Sequence, residues 1–189
     1  METNPNRITG AVLGAATVTV GLIAGTFFIF AVTVMPALAH SDDDVYVQVM
    51  SDIDDAIYNP LFLGAFMAAL LLTAVAAWRL RGRPGPRAWM WAALVAYGLT
   101  FLITMGINVP LNEDLVSSTD PVAARADFED PWVLWNGIRA ATSALALAFL
   151  AWGSLLYGRE RRAAARETAP MSSTTAPGPV GWGRPDPRG

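Results

Sequence analysis

The chain has 189 residues, 53% of them hydrophobic and only 15% charged, and its apolar residues fall in long blocks. That balance excludes an ordinary soluble globule, and the lack of Cys excludes disulfides and Cys-ligated metal clusters. A single His excludes a haem held by two His of one chain, and the net charge of −3 hides a division: all 13 basic residues are Arg, and most acids lie in other segments.

Residues 1–7, with Arg7, read as a short cytoplasmic N-terminus, followed by a transmembrane domain over 8–158. The first helix is predicted over about 8–38. Gly10, Gly14, Gly21 and Gly25 share one of its faces, a doubled GxxxG stripe suited to close packing inside the bundle or to a homodimer. Ala37 and Ala39 have the spacing of a signal-peptidase site, but the apolar run exceeds the roughly 7–15 residues of a signal core, so a retained helix is expected. His40 follows directly. In "HSDDDVYVQVMSDIDDAIYNP", Ser41 and Asp44 have capping-box spacing. Tyr46, Val49, Met50, Ile53 and Ile57 then form the apolar stripe of a short amphipathic surface helix. Asn59-Pro60 ends that helix and opens the second span, about 60–79.

"RLRGRPGPR" is a tight basic turn before the third span, about 88–107, which is expected to stop at Pro110 in "NVPLN". Pro121 could open another short surface helix. The fourth span covers about 132–158, and 159–189 reads as a cytoplasmic, mostly disordered tail in which Trp182 stands alone. Arg79, Arg81, Arg83, Arg87 and Arg159, Arg161, Arg162, Arg166 flank the spans on one side; Asp42, Asp43, Asp44, Asp52, Asp54, Asp55 and Glu113, Asp114, Asp120, Asp127, Glu129, Asp130 fill the other loops. The positive-inside rule makes the Arg side cytoplasmic. The expected fold is an all-α, four-helix transmembrane bundle, N-in/C-in, in the cell membrane, with an amphipathic helix in the first outer loop.

This topology brings polar residues to the outer end. Trp132, Trp135, Asn136 and Arg139 share one face of the fourth helix at i, i+3, i+4 and i+7. They meet His40, Asn59, Asn108 and Asn112 from the other helix ends. Arg139 either snorkels above a Trp belt, paired with Glu129 or Asp130, or turns inward to bond Asn108 or Asn112 and face a ligand. Each Asn also suits a helix cap. His40 is an interfacial residue or a proton acceptor. "HSDDD" suits a divalent cation less well than an exposed helix start. Phe27, Phe28 and Phe30 pack, face lipid or line a pocket. No nucleotide-binding loop, HExxH or GxSxG pattern occurs, and the short Arg clusters orient a membrane protein and do not form a nucleic-acid surface.

"GLIAGTFFIFAVTVMPAL", "NPLFL", "NVPLN" and "WVLWNGIR", in this order, resemble the anthrone oxygenase-like family of small four-helix membrane proteins. The resemblance covers about residues 10–157. It implies a cofactor-independent oxygenase that turns a flat hydrophobic anthrone into an anthraquinone with dioxygen, with no metal. It also implies a pocket of Asn108, Asn112, Trp135, Asn136 and Arg139, with Arg139 and the Asn side chains holding an enolate-like oxygen. Gly137 stands where some relatives carry His, which leaves His40 or an outer-loop carboxylate as the base. The alternative is a non-enzymatic protein that binds a lipid or quinone-like molecule or docks on a partner membrane protein.

Overall fold

The structure, a computed structural model, describes residues 5–167; the expected disordered tail from Thr168, with Trp182, lies outside the described residues. All regular structure among the described residues is helical. Helix α1 (Pro5–Ile29) widens into a π-helical turn at Phe30–Val34 and finishes at Met35–Leu38. Helix α2 (Asp43–Ile57) is short, and α3 (Pro60–Arg79) crosses back. Helix α4 (Pro84–Ile103) also passes through a π turn, Thr104–Asn108, and continues as Val109–Ser117. Helix α5 runs unbroken from Pro121 to Glu167. Four of these helices, all but α2, are long and apolar enough to cross a membrane, which makes the chain a multi-pass membrane protein.

The helix starts follow local chemistry. Asn59 caps α3: its Oδ1 accepts from the Phe62 N–H at 2.9 Å and its Nδ2 donates to the Ala56 carbonyl at 2.8 Å, with Pro60 in the first turn. Asn59→Ala should lower stability by about 1 kcal/mol, read as a reduced melting temperature in detergent. Asp120 caps α5 through the N–H groups of Val122 and Ala123. The capping box expected at Ser41 does not form. Asp42 is the cap residue of α2, and the Ser41 hydroxyl turns back to the Leu38 carbonyl at 2.7 Å.

Two further expectations need correction. Pro110 does not stop the third span, because it sits in the first turn of Val109–Ser117, where a missing N–H is tolerated. Pro121 opens no separate surface helix but begins α5 itself, and Pro131 is carried inside that helix. The 47 residues of α5 extend about 70 Å at ~1.5 Å per residue, against a hydrocarbon layer of about 30 Å. Its charged ends therefore stand outside the membrane.

Two apolar cores hold the bundle. The larger joins Leu13, Val20, Phe27, Phe66, Tyr97 and Leu150 with many buried alanines. Small side chains let the helices approach closely, as at Gly153, where a Cβ would overlap the Met90 side chain. The α1 glycine stripe does not serve this purpose: Gly10, Gly14 and Gly25 are exposed, a Cβ added at any of them would meet nothing within 4 Å among the described residues, and of the four only at Gly21 would it reach a neighbour, Leu147. The smaller core sits at the acidic end and joins Met35, Tyr46, Met50, Leu115, Phe128 and Trp132. Here the apolar face of α2 closes over the helix ends. Arg125 fastens it, donating to the carbonyls of Ala39 (3.1 Å) and Ser41 (2.8 Å), to Asp43 (3.0 Å) and to Glu129 (2.7 Å). Its guanidinium also lies 4.5 Å from the centre of the Tyr46 ring.

Candidate functional site

A cavity of about 80 Å³ lies at the acidic end, where the two cores meet. Its walls are apolar and aromatic, with Phe27, Phe30, Met50, Ile53, Phe62 and Phe66 among them. Its amide and charged lining comes from three helices: Asn108 and Asn112 from α4, Asn136 and Arg139 from α5, and Asp54 from α2. Both π turns border it, through Phe30 on α1 and through Thr104, Met105 and Asn108 on α4. Proline explains their location. Pro36 and Pro110 carry no N–H for the carbonyls of Val32 and Gly106, which lie inside the two turns, so the regular ladder is already interrupted there.

One hydrogen-bond chain runs along the wall. Trp132 Nε1 donates to Asn112 Oδ1 at 2.8 Å, and Asn112 Nδ2 donates to Asp54 Oδ1 at 2.6 Å. A second fixes the guanidinium. Arg139 Nη2 donates to Asn136 Oδ1 at 3.0 Å, and Asn136 Nδ2 donates to the Phe27 carbonyl at 3.2 Å. Arg139 is 5% exposed, and it lies 4.3 Å from the Phe27 ring centre and 5.4 Å from that of Trp132. It bonds neither Asn108 nor Asn112, and it does not snorkel to Glu129 or Asp130. Both ion pairs among the described residues belong to Arg125. Arg139 Nε and both amide atoms of Asn108 are buried without a hydrogen-bond partner among the described residues.

Five of the residues expected at the site thus line one cavity: Asn108, Asn112, Trp132, Asn136 and Arg139. Three do not. Asn59 is exposed and acts as a cap. Trp135 is half-buried outside the lining. His40 is exposed, with Nδ1 donating to the Pro36 carbonyl at 2.8 Å. Gly137 is exposed too, and a Cβ there would meet nothing within 4 Å, so a side chain at this position would leave the bundle.

Phe27 takes the pocket-lining place among its expected alternatives, and Asp54 is the lining residue that the sequence did not single out from the outer-loop carboxylates. Asp54 had a visible signal: it stands four residues after Met50 and three before Ile57, an acid on the apolar face of α2. Burial, assisted by Asp55 and Glu113, raises its carboxyl pKa above the ordinary value of 3.8, while the Asn112 bond opposes the rise.

The chain is thus a helical membrane protein whose aromatic cavity carries an inward guanidinium and one carboxylate in its lining. The sequence comparison agrees in kind: the anthrone oxygenase family profile matches residues 56–167, more than half of the chain, and the chain belongs to that family. No curated protein and no solved structure matched it.

Proposed function

We propose that the cavity binds a flat, ring-ketone-like hydrophobic molecule and oxygenates it with dioxygen, with no bound cofactor taking part. Three unpartnered buried atoms on the cavity wall carry this reading. Arg139 Nε and Asn108 Nδ2 are donors, and Asn108 Oδ1 is an acceptor. A buried polar group without a partner costs about 1–3 kcal/mol, so the wall favours a ligand offering an oxygen acceptor beside a hydroxyl donor. The free space is smaller than a three-ring molecule, so binding displaces lining side chains; Tyr58, 49% exposed, stands among them.

The chemistry needs little from the protein beyond positioning. Removal of a proton from the carbon opposite the ketone leaves a carbanion whose charge spreads onto the ring oxygen. Arg139 and Asn108 hold that oxygen in a site of low dielectric. The carbanion passes one electron to dioxygen, and the two radicals join as a C–O bond. The peroxide takes up a proton. Loss of water then breaks the O–O bond, and the second hydrogen of the carbon leaves as a proton. One CH2 and one dioxygen give one carbonyl and one water.

Oxygen consumption by purified protein on addition of an anthrone, with anthraquinone formed in equal amount, tests this reading. Binding without oxygen uptake would instead favour a lipid- or quinone-binding protein, which would use the same unpartnered Asn108. Asn108→Leu should leave the fold intact and weaken substrate binding about tenfold, the value of roughly one hydrogen bond, read as a raised KM. Following the Arg distribution, we place the cavity at the outer leaflet of the cell membrane and both termini in the cytoplasm.

A further inference from the structure

We propose that Asp54 is the general base of this site, taking the carbon-bound proton of the substrate onto its Oδ2 while Asn112 holds its Oδ1. The assignment rests on the oxygenase reading given above and adds the group that starts the reaction. It concerns a residue just outside the segment matched by the family profile.

Four observations carry it. Asp54 is the only carboxylate among the residues lining the cavity. Its Oδ1 is fixed by the 2.6 Å bond from Asn112, which is itself fixed by Trp132 at 2.8 Å, so the carboxylate is oriented by a relay anchored on α5. Arg139, the cation that would hold the developing negative charge, lines the same cavity from α5, so acceptor and donor come from different elements. The obvious rival is placed elsewhere: His40 is exposed, outside the lining, with Nδ1 engaged by its own helix.

The proton balance is simple. The C–H bond of the substrate breaks, its electron pair stays on the ring as the enolate, and the proton forms a new O–H bond on Asp54. The peroxide formed later takes that proton back, which restores the carboxylate. Asn112 and Trp132 are positioning residues and touch no reacting atom in this scheme.

The charged groups around Asp54 support the role. Burial raises its proton affinity, the Asn112 bond lowers it, and Asp55 on its own helix and Glu113 on α4 raise it further. Tyr58, next along the chain, is itself held neutral to higher pH by burial and by Asp54 and Glu113. A carboxylate shifted upward is a stronger base, and it is still ionised when the pH exceeds its raised pKa.

The test separates proton removal from oxygenation. Protein with an anthrone deuterated at the acidic carbon is held without oxygen, and loss of deuterium to water is followed by mass spectrometry. The native chain should exchange; Asp54→Asn, which keeps the bond to Asn112, should exchange ~100-fold more slowly or worse, and His40→Gln should match the native rate. In the native protein the rate should fall with decreasing pH along a limb above 3.8, and that limb should vanish in Asp54→Asn. Asp54→Glu should restore part of the rate with a displaced limb, which also serves if the Asn variant does not fold. Equal exchange by Asp54→Asn and the native chain would overturn the assignment and leave the oxygenase reading standing. A native chain that binds the anthrone but neither exchanges deuterium nor consumes oxygen would overturn both.

Discussion

Arg139→Met should abolish most oxygenation, lowering kcat/KM by ~10²–10³, the usual effect of removing one donor from a developing oxyanion. The substitution preserves side-chain length and apolar contact with Phe27 and Trp132 but removes every donor. Its effect on stability should be small, because two changes oppose one another. A buried guanidinium without a carboxylate partner is costly to desolvate, and its removal relieves that cost. The Asn136 Oδ1 loses its donor in exchange. A melting temperature in detergent within a few degrees of the native value, together with lost activity, would show that Arg139 serves chemistry more than folding. Full activity in Arg139→Met would end its role at the enolate oxygen. Arg139→Lys should not restore the rate, since a point ammonium on a flexible stem lacks the planar Nε and Nη2 pair that contacts Asn136 and the cavity together.

Arg125→Ala should lower stability by about 2 kcal/mol. Hydrogen bonds to a charged donor are worth ~1.5–3 kcal/mol when buried, but this guanidinium is partly exposed, and its i,i+4 pair with Glu129 adds only a few tenths. The loss should be local. Arg125 links Ala39, Ser41 and Asp43 to α5, so its removal frees the first turn of α2 from the bundle. Amide hydrogen exchange should therefore quicken over residues 43–57 with little change in α3. Uniform destabilisation of all helices would contradict the picture of a separately fastened cap.

Much of the bundle was legible because hydropathy reports the membrane directly. The second span, 60–79, begins and ends where the sequence places it, since Asn59-Pro60 and the Arg turn punctuate it chemically. The other helix ends were less visible. Hydropathy marks where a helix leaves hydrocarbon, not where its hydrogen-bond ladder stops. Residues 121–131 are charged yet helical, and the same holds for 159–167. Prolines misled for a related reason: the sequence suggests a stop at Pro110 and a separate short helix from Pro121, whereas one lies in the first turn of a continuing helix and the other opens α5 itself.

The site was legible where one helix face sufficed. Trp132, Asn136 and Arg139 fall on a single line of α5, and all three reach the cavity. Trp135 has the same nominal spacing, yet a difference of one residue turns it to the edge of that face. Partners across helices were not legible. That Asn112 meets Asp54 and Trp132, and that Asn136 bonds the Phe27 carbonyl, depends on the relative rotation of four helices, which no single-chain periodicity encodes.

The two π turns have a genetic consequence. Each one adds a residue to an otherwise regular helix, and one residue is worth about 100° of rotation. A π turn absorbs that residue as a bulge, so losing a single codon within 30–34 or 104–108 would close the bulge into regular helix and keep Met35 or Asn112 in phase, whereas the same loss in a regular stretch would swivel everything beyond it. In these two five-residue windows an in-frame deletion would be expected to remove the widened turn that borders the cavity while leaving the rest of the bundle in register.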